Sequence, residues 1–301
     1  MIFEKESKVF CMGYNVDLIR EVYSKNKDYI NLSNDKHIKR KAKRLELGYK
    51  RIIKNDDYIE YPFWSVIHEL KTHDFLKGLT QLKVSNDEKL GPDFRDENTA
   101  YECVIVTFGK KGSETYNNLT KIHTEVYTGT IPRKDIIFRV TNAIDNKRVQ
   151  YNYHRKQKAI DIKTPYVLMI DLSLLSSCKM QLYEDFKEML LPLVGAGEEI
   201  YIYNKIKEKI TGKDYQYYRV LKKRNTSEVE MNIFSRPDFS FISGIIFSSS
   251  QFLKEYNKTN TILMVNPLAN NPLDLNLFKG MKAWQYFETK FEYGEYRCDI
   301  L

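Results

Sequence analysis

The 301-residue sequence predicts an α/β protein with a mixed central β-sheet flanked by helices. Three observations favour this class: an apolar repeat at helical spacing in 61–82, a hairpin pattern in 91–108, and the apolar run TPYVLMIDLSLL at 164–175. A strand that is apolar almost throughout is typical of one buried on both faces of a sheet. Helical segments that alternate with such strands indicate α/β architecture.

The elements are expected in the order helix, hairpin, helix, buried strand and further strands. In the first helix, Pro62 stands near the start, and Val66, Ile67 and Leu70 recur at helical spacing. The hairpin turns at Asp-Glu-Asn. The later predicted elements are a long helix at 134–158, a helix at 181–193, and strands at 199–204, 229–234, 243–249 and 261–266. Residues 1–58 predict a helical, basic N-terminal extension, and residues 59–301 the main domain with a C-terminal, strand-rich elaboration.

Composition and motifs narrow the class of protein. No apolar stretch approaches the roughly 20 residues that span a bilayer, so no membrane partner is expected. The four cysteines are scattered without zinc spacing, and the first residues lack a signal-peptide pattern, which together predict a cytoplasmic protein. The sequence contains no P-loop, GxGxxG, GxSxG or HExxH motif, which argues against the nucleotide-binding, serine-hydrolase and zinc-protease classes that use them.

The net charge of +8 is unevenly distributed. Residues 36–54 hold nine Lys or Arg and one Glu, and a second basic cluster, 222–224, follows the tyrosine-rich stretch YQYYRVL. Basic residues interleaved with aromatic ones suit phosphate contact with base stacking. The alternative is a solvated helix face. Nucleic acid is the predicted partner, DNA rather than RNA, and a homodimer is left open.

Two carboxylates lie in the predicted hairpin, in GPDFRDENTAYECVIV. Positions 93 and 102 fall nearly opposite each other when the chain turns at 96–98, which brings Asp93 close to Glu102. Carboxylates that repel each other at this distance are relieved by a divalent cation. Alternatively, Asp93 is a turn residue and Glu102 a solvated edge residue. A second PDF, at 237–239, has no acidic residue on the strand that follows it, so Asp238 is interpreted as a turn residue.

The long helix carries a lysine within its apolar stripe. Ile136, Val140, Ile144 and Tyr151 form this stripe at about 100° per residue, and Lys147 falls in its middle. Such a lysine either extends past the core margin to solvent or reaches the carboxylate pair, where its charge would stabilise a phosphate. On the same helix, Arg139 is a candidate for phosphate contact or simply solvated. Gln150, which is expected to face away from the stripe, is a secondary candidate.

This arrangement resembles the PD-(D/E)XK, or restriction-endonuclease-like, nuclease superfamily. Pro92-Asp93 is similar to the PD, and Glu102 to the (D/E) of its motif, followed by a helix and a strand in the matching order. The resemblance covers roughly residues 60–175 and implies a restriction-endonuclease-like core and a Mg2+-dependent (or Mn2+-dependent) endonuclease. Its metal ligands would be Asp93 and Glu102.

One departure concerns the motif lysine. Val104 stands where the superfamily has that lysine, and relocation to the following helix makes Lys147 the candidate, with Lys110 a weaker one. Glu69 matches a position where some members add a carboxylate, although it is equally compatible with a surface charge. If no lysine reaches the site, the fold implies a catalytically inactive nucleic-acid-binding or protein-interaction module. A third hypothesis is a host-interaction or toxin-like protein that binds a protein partner through the region after about residue 176.

Overall fold

The computed structural model describes residues 21, 24–26, 61–83, 91–110, 113–114, 116–117, 133–175, 189–223, 226–248, 256–288 and 294–301. The predicted basic extension therefore lies almost wholly outside the described residues, as do most of the helix predicted at 181–193 and the segment 36–54.

Three α-helices and eleven strands have both ends within the described residues. The helices are α1 (Tyr61–Lys77), α2 (Arg133–Lys156) and the short α3 (Leu190–Val194). The strands are β1 (Phe94–Arg95), β2 (Ala100–Ile105), β3 (Tyr166–Asp171), β4 (Ala196–Asn204), β5 (Lys209–Tyr217), β6 (Val220–Lys222), β7 (Glu228–Glu230), β8 (Ile242–Ser248), β9 (Thr261–Val265), β10 (Lys282–Glu288) and β11 (Gly294–Ile300). None of the described helices combines the length and apolar character needed to cross a bilayer.

Seven of these strands form one mixed sheet in the order β1-β2-β3-β8-β9-β10-β11. Strands β2, β3 and β8 run parallel, whereas β1 is antiparallel to β2 and β9 is antiparallel to β8. The pairs β4-β5 and β6-β7 form two separate two-stranded sheets. The predicted α/β class with a mixed central sheet is confirmed at this level.

The central strand β3 divides the core between the two faces of the sheet. Leu168 and Ile170 belong to a cluster with Val140 and Ile144 of α2. Val167, Met169 and Tyr101 belong to a second cluster, which includes Phe75 and Leu76 from the end of α1. All six residues of β3 are buried, as the apolar run predicted, because both faces of this strand are covered.

The structure corrects several of the predicted elements. The strand expected at 229–234 ends at Glu230, because Asn232 adopts a left-handed conformation (φ 62°) and a 3-10 turn begins at Ile233. Strands β5, β6, β10 and β11 were not predicted. Strands β10 and β11 pair antiparallel, and Trp284 of β10 is buried.

A buried polar network lies at the end of β3. Tyr256 donates from its hydroxyl to Asp171 Oδ2 at 2.8 Å, and His68 Nδ1 lies 2.7 Å from the same hydroxyl oxygen. The ammonium of Lys71 lies 4.0 Å from the centre of the Tyr256 ring. Ser173 donates to Asp171 from its backbone N–H and from its hydroxyl. The network ties α1 to the carboxyl end of the parallel strands.

The charges in this network depend on one another. Burial lowers the pKa of Lys71 to about 8, and Asp171 opposes the shift. Burial also acts to raise the pKa of Asp171, but Lys71, His68 and the Ser173 hydrogen bonds outweigh it and hold the pKa below its ordinary value. Removing either charge would therefore take from the other the largest charge that favours its ionised form.

Asp171→Asn is expected to lower the free energy of unfolding at pH 7 by about 3 kcal/mol, because Lys71 would stay buried without its carboxylate. The depressed pKa of Asp171 contributes stability above its ordinary value of 3.8, and this contribution is lost as the pH falls toward the folded-state value. The difference in the free energy of unfolding between wild type and variant should therefore become smaller at acidic pH. Urea unfolding at pH 7 and pH 3 measures both effects. Asp299→Asn, at an exposed position on β11, is the control, and an equal loss in both variants would contradict the assignment.

Candidate active site

The β1-β2 hairpin brings the two predicted carboxylates together. Its register pairs Phe94 with Tyr101 and Arg95 with Ala100, so Asp93 and Glu102 are the next pair outward. Asp93 Oδ2 accepts a hydrogen bond from the backbone N–H of Cys103 at 2.8 Å, which fixes its carboxylate against β2. The carboxylate of Asp96 accepts hydrogen bonds from the backbone N–H groups of Asn98 and Thr99. This side-chain turn determines the register of the hairpin.

Glu102 is buried, with 1% of its surface exposed, and its carboxylate is held by three side chains. Lys147 Nζ donates to Oε1 at 2.6 Å, and Gln150 Nε2 donates to the same oxygen at 2.7 Å. The Tyr166 hydroxyl donates to Oε2 at 3.3 Å. The alternative that Glu102 is a solvated edge residue is wrong, because β2 pairs with both β1 and β3 and α2 covers this face.

Lys147 lies in the apolar stripe of α2 because its ammonium has a buried partner. Val140, Ile144 and Tyr151 pack into the core on either side of it, and the side chain runs to Glu102. Gln150, one turn further along, accepts from Lys147 Nζ at 2.8 Å. The expectation that Gln150 faces away from this stripe is therefore wrong: its amide bridges the lysine and the carboxylate. The error arose because residues at i and i+3 share a helix surface at the margin of the stripe.

Burial and the neighbouring carboxylate of Asp93 raise the pKa of Glu102 to about 7, while Lys147 acts in the opposite direction. Burial disfavours the ammonium of Lys147, but Glu102 and Asp93 outweigh it and raise the pKa of Lys147. The site therefore contains two carboxylates that repel each other, and Lys147 compensates them in part.

The secondary candidates take different places. Glu69 is buried on α1, so the alternative that it is a surface charge is wrong. Burial is the main cause that raises the pKa of the Cys103 thiol, and the charges of Asp93, Glu69 and Glu102 add to this shift. Arg139 is neither at the carboxylates nor simply solvated: it donates to the backbone oxygen of Thr107 at 2.7 Å and to its hydroxyl at 3.0 Å. Lys110 is exposed beyond the end of β2.

The second PDF differs from the first as expected. Asp238 lies in a short 3-10 turn, Pro237–Phe239, and forms ion pairs at the surface with Arg236 at 2.9 Å and Arg148 at 3.4 Å. Because the tripeptide is the same, the distinct environment of Asp93 comes from the strand that follows it.

Two residues of the site were missed by sequence reasoning. Tyr166 is fully buried, and its ring packs against Tyr151 beneath Glu102. His154 is 4% exposed, and its Nδ1 has no hydrogen-bond partner among the described residues. Burial lowers the pKa of His154, with Asp93 opposing and Lys147 and Arg95 adding to the shift, so the imidazole lies near these charges. His154 follows Lys147 by seven residues, a spacing that places both side chains on one face of the helix, and this spacing could have identified it from the sequence.

The donor set of the site is compatible with Mg2+ or Mn2+. Magnesium in proteins is bound through one or two carboxylates, with water and phosphate oxygens completing its shell. Asp93 and Glu102 supply two carboxylates, and the pKa of Glu102 is raised first by burial and then by the charge of Asp93, which a cation would relieve. No group of three or more His, Cys, Asp or Glu side chains in the described part of the chain is arranged around a metal-sized position.

Comparison with known proteins gives no relative: no family model, no curated protein and no solved structure matches this chain. The geometry of the described residues therefore has to carry any functional conclusion.

Lys147→Met is expected to lower the free energy of unfolding by about 3 kcal/mol at pH 7, because Glu102 would lose its cation and could stay buried only as an unpaired charge or by taking up a proton. The double variant Glu102→Leu/Lys147→Met should recover most of this loss, since neither charge remains. Urea unfolding of the two single variants and the double variant measures the coupling. Lys134→Met, exposed in the first turn of α2, is the matched control. Additive losses in the cycle would exclude a direct interaction.

Glu102→Gln is expected to become less destabilising as the pH rises from 5 to 8. The folded-state pKa of Glu102, about 7, exceeds its ordinary value of 4.5, so its contribution to stability is complete below pH 4.5 and declines through pH 7. Unfolding free energies of wild type and variant at pH 5 and pH 8 test this. Glu97→Gln, exposed in the adjacent hairpin turn, should show no comparable trend. A difference between wild type and Glu102→Gln that stays constant with pH would refute the shift.

Proposed function

We propose that this protein is a metal-dependent nuclease that hydrolyses phosphodiester bonds of DNA on a restriction-endonuclease-like core. The observation that carries the proposal is the contact between Glu102 on β2 and Lys147 on α2, 45 positions apart, beside Asp93. Val104 occupies the position of the motif lysine, and a lysine from the next helix reaches the same carboxylate.

The order of elements also supports the proposal. Helix α1, the β1-β2 hairpin, helix α2 and the parallel strand β3 follow the order expected for that core. Asp93 stands at the outer end of the hairpin, and Glu102 lies on the strand that pairs with β3. Both carboxylates therefore come from the rigid part of the fold, which favours a fixed site geometry.

Each residue has a separate task in this proposal. Asp93 and Glu102 would hold Mg2+ or Mn2+, which when bound supplies charge neutralisation for the phosphate and activation of a water molecule. Lys147, whose raised pKa keeps it cationic at neutral pH, would donate to the attacking water or to a phosphate oxygen. Gln150 would orient Lys147, because its amide oxygen accepts from the ammonium. Tyr166 would restrict the rotation of Glu102.

Purified protein is expected to nick supercoiled plasmid in the presence of Mg2+ or Mn2+ and not in the presence of EDTA. Asp93→Asn, Glu102→Gln and Lys147→Met should each lower the rate by about 100-fold or more, because each would remove charge at the reacting phosphate. Agarose gel electrophoresis of the plasmid over time measures the rate.

Asp238→Asn is the matched control, since it makes the same change in the other PDF tripeptide and should leave the rate within about twofold, as expected for a surface ion pair. Circular dichroism and unfolding of each variant distinguish loss of chemistry from loss of fold. Equal activity of Asp93→Asn, Glu102→Gln and Asp238→Asn would eliminate the proposed site.

A catalytically inactive module that binds nucleic acid is the second candidate. It is favoured by the three side chains that already occupy the Glu102 carboxylate and by Val104 at the motif position. Calorimetric titration with Mg2+ and Mn2+ separates the candidates. A metal-binding isotherm that disappears in Asp93→Asn favours the nuclease, whereas DNA binding without a metal isotherm and without cleavage favours the module.

A further inference from the structure

The pair of strands β4 and β5 forms a two-stranded ribbon whose middle and tip are exposed on both faces. Among the described strands the two pair only with each other, and each has nine residues, about 30 Å at 3.4 Å per residue. The ribbon starts at Gly195, which has a positive φ of 77°. An added Cβ there would lie 2.9 Å from the backbone oxygen of Tyr218, so the tight exit from α3 requires glycine. We call Ala196–Tyr217 the arm.

The arm exposes apolar side chains on both faces. Successive residues alternate between faces of a strand, yet Ile200, Tyr201, Ile202 and Tyr203 are 47%, 53%, 52% and 55% exposed. Ile210 and Tyr217 on β5 are exposed as well. A contiguous set of exposed apolar side chains marks a binding surface in most soluble proteins.

The tip of the arm combines positive charge with one apolar side chain. The Asn204 carboxamide oxygen accepts from the N–H groups of Ile206 and Lys207, at 2.9 and 3.0 Å, and shapes the turn. Ile206 is 95% exposed at this turn, with Lys205 and Lys207 on either side. The arm as a whole carries four lysines against three Glu and one Asp, a net charge of zero, and its positive charge is concentrated at the tip, where residues 205–209 hold three lysines and one Glu.

We propose that the arm is a binding element for duplex DNA, in which its lysines contact phosphates on both sides of a groove and Ile206 inserts between base pairs. A two-stranded ribbon fits a DNA groove, and exposed isoleucine is among the apolar wedges that unstack a base step. Lysines beside that wedge suit the flanking phosphates. A second copy of the chain is a poorer occupant, because two lysine-bearing tips repel each other. The basic stretch after YQYYRVL continues from the base of the arm, where Arg219 is exposed.

This inference rests on the nucleic-acid binding in the proposed function but not on cleavage. DNA binding is therefore measured by fluorescence anisotropy of a labelled 30-bp duplex in EDTA, as a function of salt concentration. Lys205→Gln/Lys207→Gln/Lys209→Gln is expected to reduce the slope of log Kd against log [salt] by about 2 to 3, since each phosphate contact contributes about 0.9. The matched control is Lys156→Gln/Lys163→Gln/Lys279→Gln, which removes the same charge from exposed positions outside the arm and should change the slope by less than about 1.

The wedge is tested with duplexes that contain 2-aminopurine, whose fluorescence rises on unstacking. Wild-type protein is expected to raise this fluorescence, and Ile206→Ser to abolish the rise while keeping the salt slope. Ile300→Ser, at a 74% exposed isoleucine on β11, should behave as wild type.

The inference is overturned if wild-type protein binds no duplex in EDTA, or if the arm variant and its control show equal salt slopes. It is also overturned if sedimentation velocity shows that wild type dimerises and the arm variant does not, while their DNA affinities are the same. Binding to phosphatidylserine vesicles, but not to DNA, that depends on the arm would overturn it as well. Plasmid cleavage with Mg2+ by the arm variant, measured in parallel, shows whether the proposed nuclease survives when the arm fails.

Discussion

The buried carboxylate of Glu102 is the constraint on which the surrounding structure depends. A carboxylate in the interior is costly unless it is paired and hydrogen-bonded. Here an ammonium, an amide and a phenol converge on its two oxygens from α2 and β3. This requirement explains why the apolar stripe of α2 is interrupted by Lys147 and why Tyr166 is buried with its hydroxyl toward β2. The helix, the hairpin and the central strand are therefore joined at one charged residue.

Asp93 distinguishes this cluster from an isolated ion pair. It adds a second carboxylate at the end of the hairpin and, after burial, contributes to the raised pKa of Glu102. Two neighbouring carboxylates beside a lysine are the feature on which the proposed metal site rests. The polar network of Asp171, Lys71 and His68 differs in that its charges are mutually balanced and fully buried, which fits a role in stability.

The two proposals assign DNA contacts to two parts of the molecule by different physical means. In the first, the candidate active site would contact a single phosphodiester group through charge and hydrogen bonds. The arm suits a longer stretch of duplex, through lysines and an exposed isoleucine on a ribbon that pairs with no other strand described in the chain. Duplex binding by the arm does not require the candidate active site, so binding and cleavage can be lost or retained separately.

The sequence alone was sufficient for the local features. The hairpin register that places Asp93 opposite Glu102 follows from nine intervening bonds and a turn, and the buried strand and the helical stripe follow from periodicity. The position of Lys147 within the stripe also indicated that its ammonium needed a partner. Tertiary structure alone decided which partner it has, that Gln150 and His154 lie beside it, and that β4 and β5 form a ribbon separate from the central sheet. These features depend on how α2 docks against β2 and on which surfaces stay uncovered, and such contacts join residues too far apart in the chain for periodicity to relate them.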